Sequence, residues 1–187
     1  MPPIDDMLAE ARRKMDKTIE ATRHEFNSVR TGRASAALLD RIQVNYYGST
    51  MPVNQVATIS VPEPRLLAIT PFDPSAIRDI ERAIQESDLG LTPSNDGKLV
   101  RLPIPQLTEE RRKQLVKVVR GLAEDGRVAV RNVRRDTIHH MKDLEKKGEV
   151  SWDDLHRHEE LVQKLTDEHV KSIEELLKHK EAEILEV

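Results

Sequence analysis

Three stretches of the chain carry an apolar or small residue every three or four positions, and a block of alternating residues separates the first from the other two. In residues 4–30, Ile4, Leu8, Ala11, Met15, Ile19, Thr22, Phe26 and Val29 fall on one helical stripe, which Thr31-Gly32 interrupts. The second stretch runs from the candidate N-cap Thr108, followed by acidic Glu109 and Glu110, to about Lys147, where Gly148 ends it. The third begins at the cap Ser151, with Leu155, Val162, Leu165, Ile173, Leu176 and Ile184 on or beside its inner stripe. A helix with a single apolar face is not stable alone in water, whereas each Leu, Ile or Val it buries contributes roughly 1.5–3 kcal/mol. The three must pack together. The smallest solution is a three-helix bundle of residues 1–30 and 106–187, interrupted by an inserted module over 31–105.

The insert reads as a small, β-rich α+β domain. Ile42, Val44 and Tyr46 alternate with Gln43, Asn45 and Tyr47 up to Gly48, which is the pattern of a strand. Further strands are expected over Val56–Val61 and Arg65–Thr70, with Pro62-Glu63-Pro64 forcing a turn between them. Ile77, Ile80 and Ile84 mark a short helix capped by Asp73 or Ser75. Leu89–Leu91 and Leu99–Leu102 flank Ser94-Asn95-Asp96-Gly97, a hairpin signal. The two connections between bundle and insert, Arg30-Thr31-Gly32-Arg33-Ala34 and Leu102-Pro103-Ile104-Pro105, read as a two-strand hinge.

Charged residues are 34% of the 187, apolar residues 37%, and cysteine is absent, which removes disulfides, thiol nucleophiles and thiolate metal sites together. No apolar run approaches the ~20 residues of a spanning helix, and the N-terminus lacks the pattern of a signal peptide, so a cytoplasmic monomer away from membranes is expected. The formal charge of −3 hides an uneven distribution. Residues 109–136 hold nine cations against five acids, while residues 149–187 hold five against twelve. On a helical projection advancing about 100° per residue, Lys113, Lys117, Arg120, Arg127, Arg131, Arg134 and Arg135 share one arc of about 100°, interrupted by Glu124. Leu115, Val118, Leu122, Ala129, Val133 and Leu144 lie on the other side, so the cations are expected to face outward.

Two accounts of that arc stand side by side. Arginine matches phosphate oxygens with its planar fork, and a nearly all-cationic arc suits a polyanion. The acidic third helix could instead pair with the arc across the bundle. For an external partner, the absence of interleaved aromatics argues for backbone contact with folded RNA over base stacking, and no groove-reading motif recommends DNA. No constellation for catalysis is visible. The pairs His139/His140 and His156/His158 lack the i,i+4 spacing that converges on a metal, His169 reads as a satisfied core or boundary histidine, and Trp152 as an exposed or half-packed cap residue. No cofactor is expected.

Several blocks of the chain together resemble the bacterial ribosome recycling factor family. They are Val29-Arg30-Thr31-Gly32-Arg33-Ala34-Ser35, Tyr46-Tyr47-Gly48, Ser87-Asp88-Leu89-Gly90-Leu91, residues 105–113 (PQLTEERRK), and above all residues 127–136 (RVAVRNVRRD). The closing Lys178-His179-Lys180-Glu181-Ala182-Glu183 is also similar. The one departure of note is Thr92, where the family often has asparagine. The resemblance implies an L-shaped protein of roughly transfer-RNA dimensions, with a three-helix bundle and a hinged α+β domain. It implies a non-enzymatic factor that binds the post-termination ribosome and, with elongation factor G and GTP hydrolysis on that factor, separates the subunits. By family pattern the bundle lies on large-subunit ribosomal RNA, with Arg131, Arg134 and Arg135 in contact and Arg30 near the hinge. Two other classes remain to be weighed: a helical adaptor or chaperone-like protein binder, and a nucleic-acid-processing enzyme.

Overall fold

The computed structural model describes residues 3–186. By its contacts the chain divides into two units, one of the residues through Arg30 with Glu109–Glu186, the other of Thr31–Thr108. In the first, α1 (Pro3–Ser28) is followed, across the insert, by the long helices later in the chain. Ile4, Ala11, Met15, Ile19, Thr22 and Phe26 are the buried line of α1, as the spacing predicts.

The insert opens with a single 3-10 turn capped by Ser35 and then a two-stranded antiparallel hairpin, β1 (Gln43–Tyr46) and β2 (Ser49–Pro52). The sequence reading stops at Gly48 and misses β2, whose short run of Ser, Thr, Met and Pro carries no alternation of its own. A one-turn helix, α2 (Val53–Val56), leads into a four-stranded antiparallel sheet of order β3-β4-β6-β5: β3 (Ala57–Glu63), β4 (Leu66–Pro71), β5 (Ser94–Asn95) and β6 (Val100–Pro103). β3 passes through Pro62, which the sequence pattern places in the turn. The strand is on the sheet edge and its pairing with β4 shifts between Ser60 and Glu63, so the missing donor interrupts no ladder. The hairpin at Asp96-Gly97 forms, but its first arm is Ser94–Asn95; Leu89–Leu91 is irregular and only packs against the core. Asp96 accepts from the backbone N–H groups of Leu99 and Lys98 and from Arg101, which together lower its pKa to about 2. Asp73 caps a short 3-10 turn that runs into α3 (Ile77–Glu86). Leu39, Val44, Leu67, Ile69, Ile80, Ile84, Val100 and Leu102 close one core between sheet, hairpin and α3.

The ends of the insert are fastened to the same turn. Ala34 N–H donates to the Pro64 carbonyl at 2.7 Å and Ile104 N–H to the Arg65 carbonyl at 2.8 Å. Leu102 is fully buried and Pro103 lies in β6. Outside these anchors, Gly32 adopts a left-handed φ of +78°, and a Cβ there would stand 3.0 Å from Leu107 Cγ.

The bundle is completed by α4 (Glu109–Lys146) and α5 (Trp152–Leu185), the latter capped by Ser151 accepting from the Asp154 N–H. All three helices pack against one another. The buried line of α4 is Leu115, Val119, Ala123, Gly126, Val130, Thr137, Met141 and Leu144. Of the residues expected inside, Leu115 and Leu144 are buried, Leu122, Ala129 and Val133 are half-buried, and Val118 is exposed. The core face is therefore rotated by about 60° toward the cations, on the same 100°-per-residue projection. The cause is close helix approach. At Gly126 the space of a Cβ is taken by Thr22 Oγ1 of α1, 2.7 Å away, and Ile173 Cδ1 of α5, 3.1 Å away. Gly126 sits innermost because two neighbours press on it, and the helix turns so that this position, with Val119, Ala123 and Val130, faces the core.

Two histidines bind α5 to α1 in the same way. His169 Nδ1 donates to the Leu165 carbonyl and Nε2 lies 2.7 Å from Asp16 Oδ1. His158 repeats this with the Asp154 carbonyl and Asp5 Oδ1, again at 2.7 Å. His169 is the satisfied core or boundary histidine its stripe predicts; the burial of His158 has no such signal in its own helix's pattern. The spacing from Asp5 to Asp16 equals that from His158 to His169, eleven residues or about three helical turns, and this shared period is the signal that could have found the pair.

Candidate nucleic-acid interface

The seven cations of α4 lie on one continuous helix from Glu109 to Lys146, but they are sorted into two rows. Lys113, Arg120, Arg127 and Arg134 repeat every seven residues, the spacing that follows a helix seam. Three of them turn toward α5. Arg120 Nε bonds Glu181 Oε1 at 2.7 Å, Arg127 Nη1 bonds Glu174 Oε1 at 2.6 Å, and Arg134 Nη1 bonds Gln163 Oε1 at 2.9 Å. Arg127 also bonds Glu124 at 2.9 Å, and its side chain is only 16% exposed. Burial works against its charge, but Glu124 and Glu174 outweigh that and hold its pKa above the ordinary arginine value. The expectation that all seven face outward fails at Arg127; Arg120, 62% exposed, stays in solvent while it bonds Glu181, and Arg134 is half-buried. The rotated core brings the seven-residue row to the edge of α5, where carboxylates meet it. Pairing across the bundle is therefore a real part of the answer.

The other row keeps its charge in solvent. Lys117 makes no ion pair among the described residues and is exposed. Arg131 is 50% exposed and stands 4.0 Å from Glu124, at the outer limit of an ion pair. Arg135 is 72% exposed, with its neighbour Asp136 at 3.7 Å. Lys113, at the start of the seam row, is exposed and pairs with Glu109 of its own helix at 3.4 Å. Exposed pairs of this kind are worth about 0–1 kcal/mol, little resistance to a stronger anion. From Lys117 to Arg135 the row spans about 27 Å at 1.5 Å per residue. Arg30, after the end of α1, is also exposed.

Trp152 is exposed at the start of α5, its ring edge-on to His156 at 3.8 Å. Among the described residues no group of three or more His, Asp or Glu is placed to hold a metal ion. No helix is long and apolar enough to cross a membrane.

An α+β unit inserted behind the first helix of a three-helix bundle, with an outward cationic row on the second, defines the class of protein. The comparisons narrow it to one family. A model described as ribosome recycling factor matches residues 22–185. A ribosome-recycling factor of Rubrobacter xylanophilus is 58% identical over 180 residues, covering 96% of this chain and 97% of that protein, and one of Listeria welshimeri is 56% identical over 182 residues, covering 97% and 98%. The chain belongs to the ribosome recycling factor family. A solution structure of a ribosome recycling factor aligns over the whole of both chains with a TM-score of 0.74 at 41% identity. The Thermus thermophilus factor, in a structure with Escherichia coli elongation factor G bound to the E. coli post-termination complex, aligns over 98% of this chain and 99% of its own with a TM-score of 0.63 at 46% identity.

Proposed function

We propose that this protein recycles ribosomes: it binds the post-termination complex through large-subunit ribosomal RNA and, with elongation factor G and GTP hydrolysis on that factor, drives the subunits apart without chemistry of its own. Lys117, Arg131 and Arg135 carry the reading, because they hold their charge in solvent along about 27 Å of one rigid helix. Such a row suits the phosphates of a folded RNA. Lys113 and Arg30 extend it; Arg120, Arg127 and Arg134 serve first as the seam with α5. Arg134, whose partner is a neutral glutamine, is the one of these three able to turn outward without abandoning a carboxylate. The test is subunit splitting followed by light scattering. Purified post-termination ribosomes should dissociate only when this protein, elongation factor G and GTP are all present; splitting unaffected by its omission overturns the proposal. An adaptor that binds proteins through an apolar face would instead bind with little salt dependence.

The pivot between bundle and insert is narrower than the spacing of prolines and glycines suggests. Ala34, Leu102, Pro103 and Ile104 are held within the insert, which centres the turn on Thr31-Gly32 and residues 105–107. Gly32→Val forces a β-branched residue into φ +78° against Leu107. The variant should bind ribosomes with affinity near that of the parent but split them roughly tenfold more slowly, a barrier change of about 1.4 kcal/mol. Parent-like splitting removes Gly32 from the hinge.

A further inference from the structure

Gly126 has a cause within the bundle, but Gly121, on the same helix, has none. Glycine is disfavoured in a helix interior, yet Gly121 has no left-handed φ to require it and a Cβ there would meet nothing within 4 Å. It is exposed, with Lys117 and the 48% exposed Val118 one turn before it and Glu124 and Asp125 one turn after it. The missing side chain makes a shallow notch in the outward face of α4, bounded by Lys117 and Val118 on one side and by Glu124 and Asp125 on the other.

Building on the proposed RNA contact, we infer that Gly121 is the point of closest approach, where the sugar–phosphate backbone lies directly against the main chain of α4. Three observations carry this. The notch lets a partner approach nearer than any side chain would permit, and nothing in the protein fills it. Val118 offers apolar surface to the face of a ribose, which is the least polar part of an RNA backbone. Cations stand on both sides along the helix, Lys113 and Lys117 before the notch and Arg131 and Arg135 after it, so a strand crossing there has phosphate partners in either direction. Glu124 is engaged by Arg127 and Arg131, while exposed Asp125 repels phosphate from the adjoining turn. That charge distribution seats a ribose over Gly121, with the phosphates displaced toward the flanking cations.

The experiment compares Gly121→Ala and Gly121→Leu with the parent, in the full chain, by thermal melting and by sedimentation with large ribosomal subunits across a salt series. Alanine should raise Tm yet weaken binding about tenfold, and leucine should weaken it further. The salt dependence should stay that of the parent, since no charge is removed. Variants that gain Tm and bind as tightly as the parent overturn the inference. If Arg131→Glu/Arg135→Glu also binds like the parent, the interface itself is refuted; if that variant loses binding, only the notch is. Because the chain has no cysteine, Gly121→Cys gives a single attachment point for an iron chelate that generates hydroxyl radicals. At saturating protein, cleavage of ribosomal RNA at riboses around one site supports the contact. Radical damage confined to a ribosomal protein assigns the notch to a protein partner and overturns it.

Discussion

Gly126→Val should lower the stability of the bundle by roughly 2–3 kcal/mol, read as a fall of about 4–12 °C in Tm for a chain of this size. The first carbon of the new side chain would stand 2.7 Å from Thr22 Oγ1 and 3.1 Å from Ile173 Cδ1, closer than atoms pack. Thr22 cannot simply swing away, because it is β-branched and buried within α1. Either α1 or α5 must move off α4, and both carry the core with them. The gain in helix propensity on leaving glycine, below about 1 kcal/mol, does not offset this. The same class of replacement at Gly121 has the opposite sign, so two glycines of one helix separate internal packing from external contact. A Gly126→Val protein that melts with the parent would mean that the helices are not as close as described.

The second large effect concerns binding. Reversing Arg131 and Arg135 together to glutamate should reduce affinity for large ribosomal subunits by about two orders of magnitude or more, since each charge-assisted hydrogen bond is worth about 1.5–3 kcal/mol. It should also flatten the dependence of affinity on salt, by about one ion per lost phosphate contact. Tm should move little, because both side chains are half or more exposed and their partners are weak. Arg127→Glu should do the reverse. It places a third carboxylate between Glu124 and Glu174 at a site only 16% exposed, so Tm falls first and binding suffers through the bundle. Should Arg131 and Arg135 lower Tm while binding holds, the outward row belongs to the fold and the RNA contact is wrong.

The difference between these arginines explains how far the sequence could be read. On a helical projection all seven cations fall on one arc, and the projection correctly takes them as residues of one uninterrupted helix. What it lacks is the direction of the neighbours. The sequence puts Leu115, Val118, Leu122, Ala129, Val133 and Leu144 on the inner side of α4, whereas the buried line runs through Val119, Ala123, Gly126 and Val130, and at Gly126 the approach of α1 and α5 leaves no room for a side chain. A rotation of about 60° brings Arg127 into the α5 seam and Arg120 within reach of Glu181, although Arg120 keeps most of its side chain in solvent. The seven-residue repeat of the seam row was present in the sequence, as was the eleven-residue spacing shared by Asp5/Asp16 and His158/His169, but each becomes meaningful only beside its partner helix. In the insert, alternation marks β1 and apolar runs mark β3, β4 and β6, while β2 has no alternation of its own and β5 is only two residues long; both exist because a neighbouring strand supplies their hydrogen bonds.

Local periodicity thus determined which segments are helices, where they start and stop, and that one module interrupts a bundle, because those properties depend on residues within a turn or two of each other. The tertiary structure alone decided which side of α4 is inside, which arginines remain available to a partner, and which glycine is a packing necessity. Those outcomes depend on atoms contributed by helices distant in the chain, 29 to 61 residues away for the α5 partners of the arginines, and a one-dimensional pattern does not contain the distance between them.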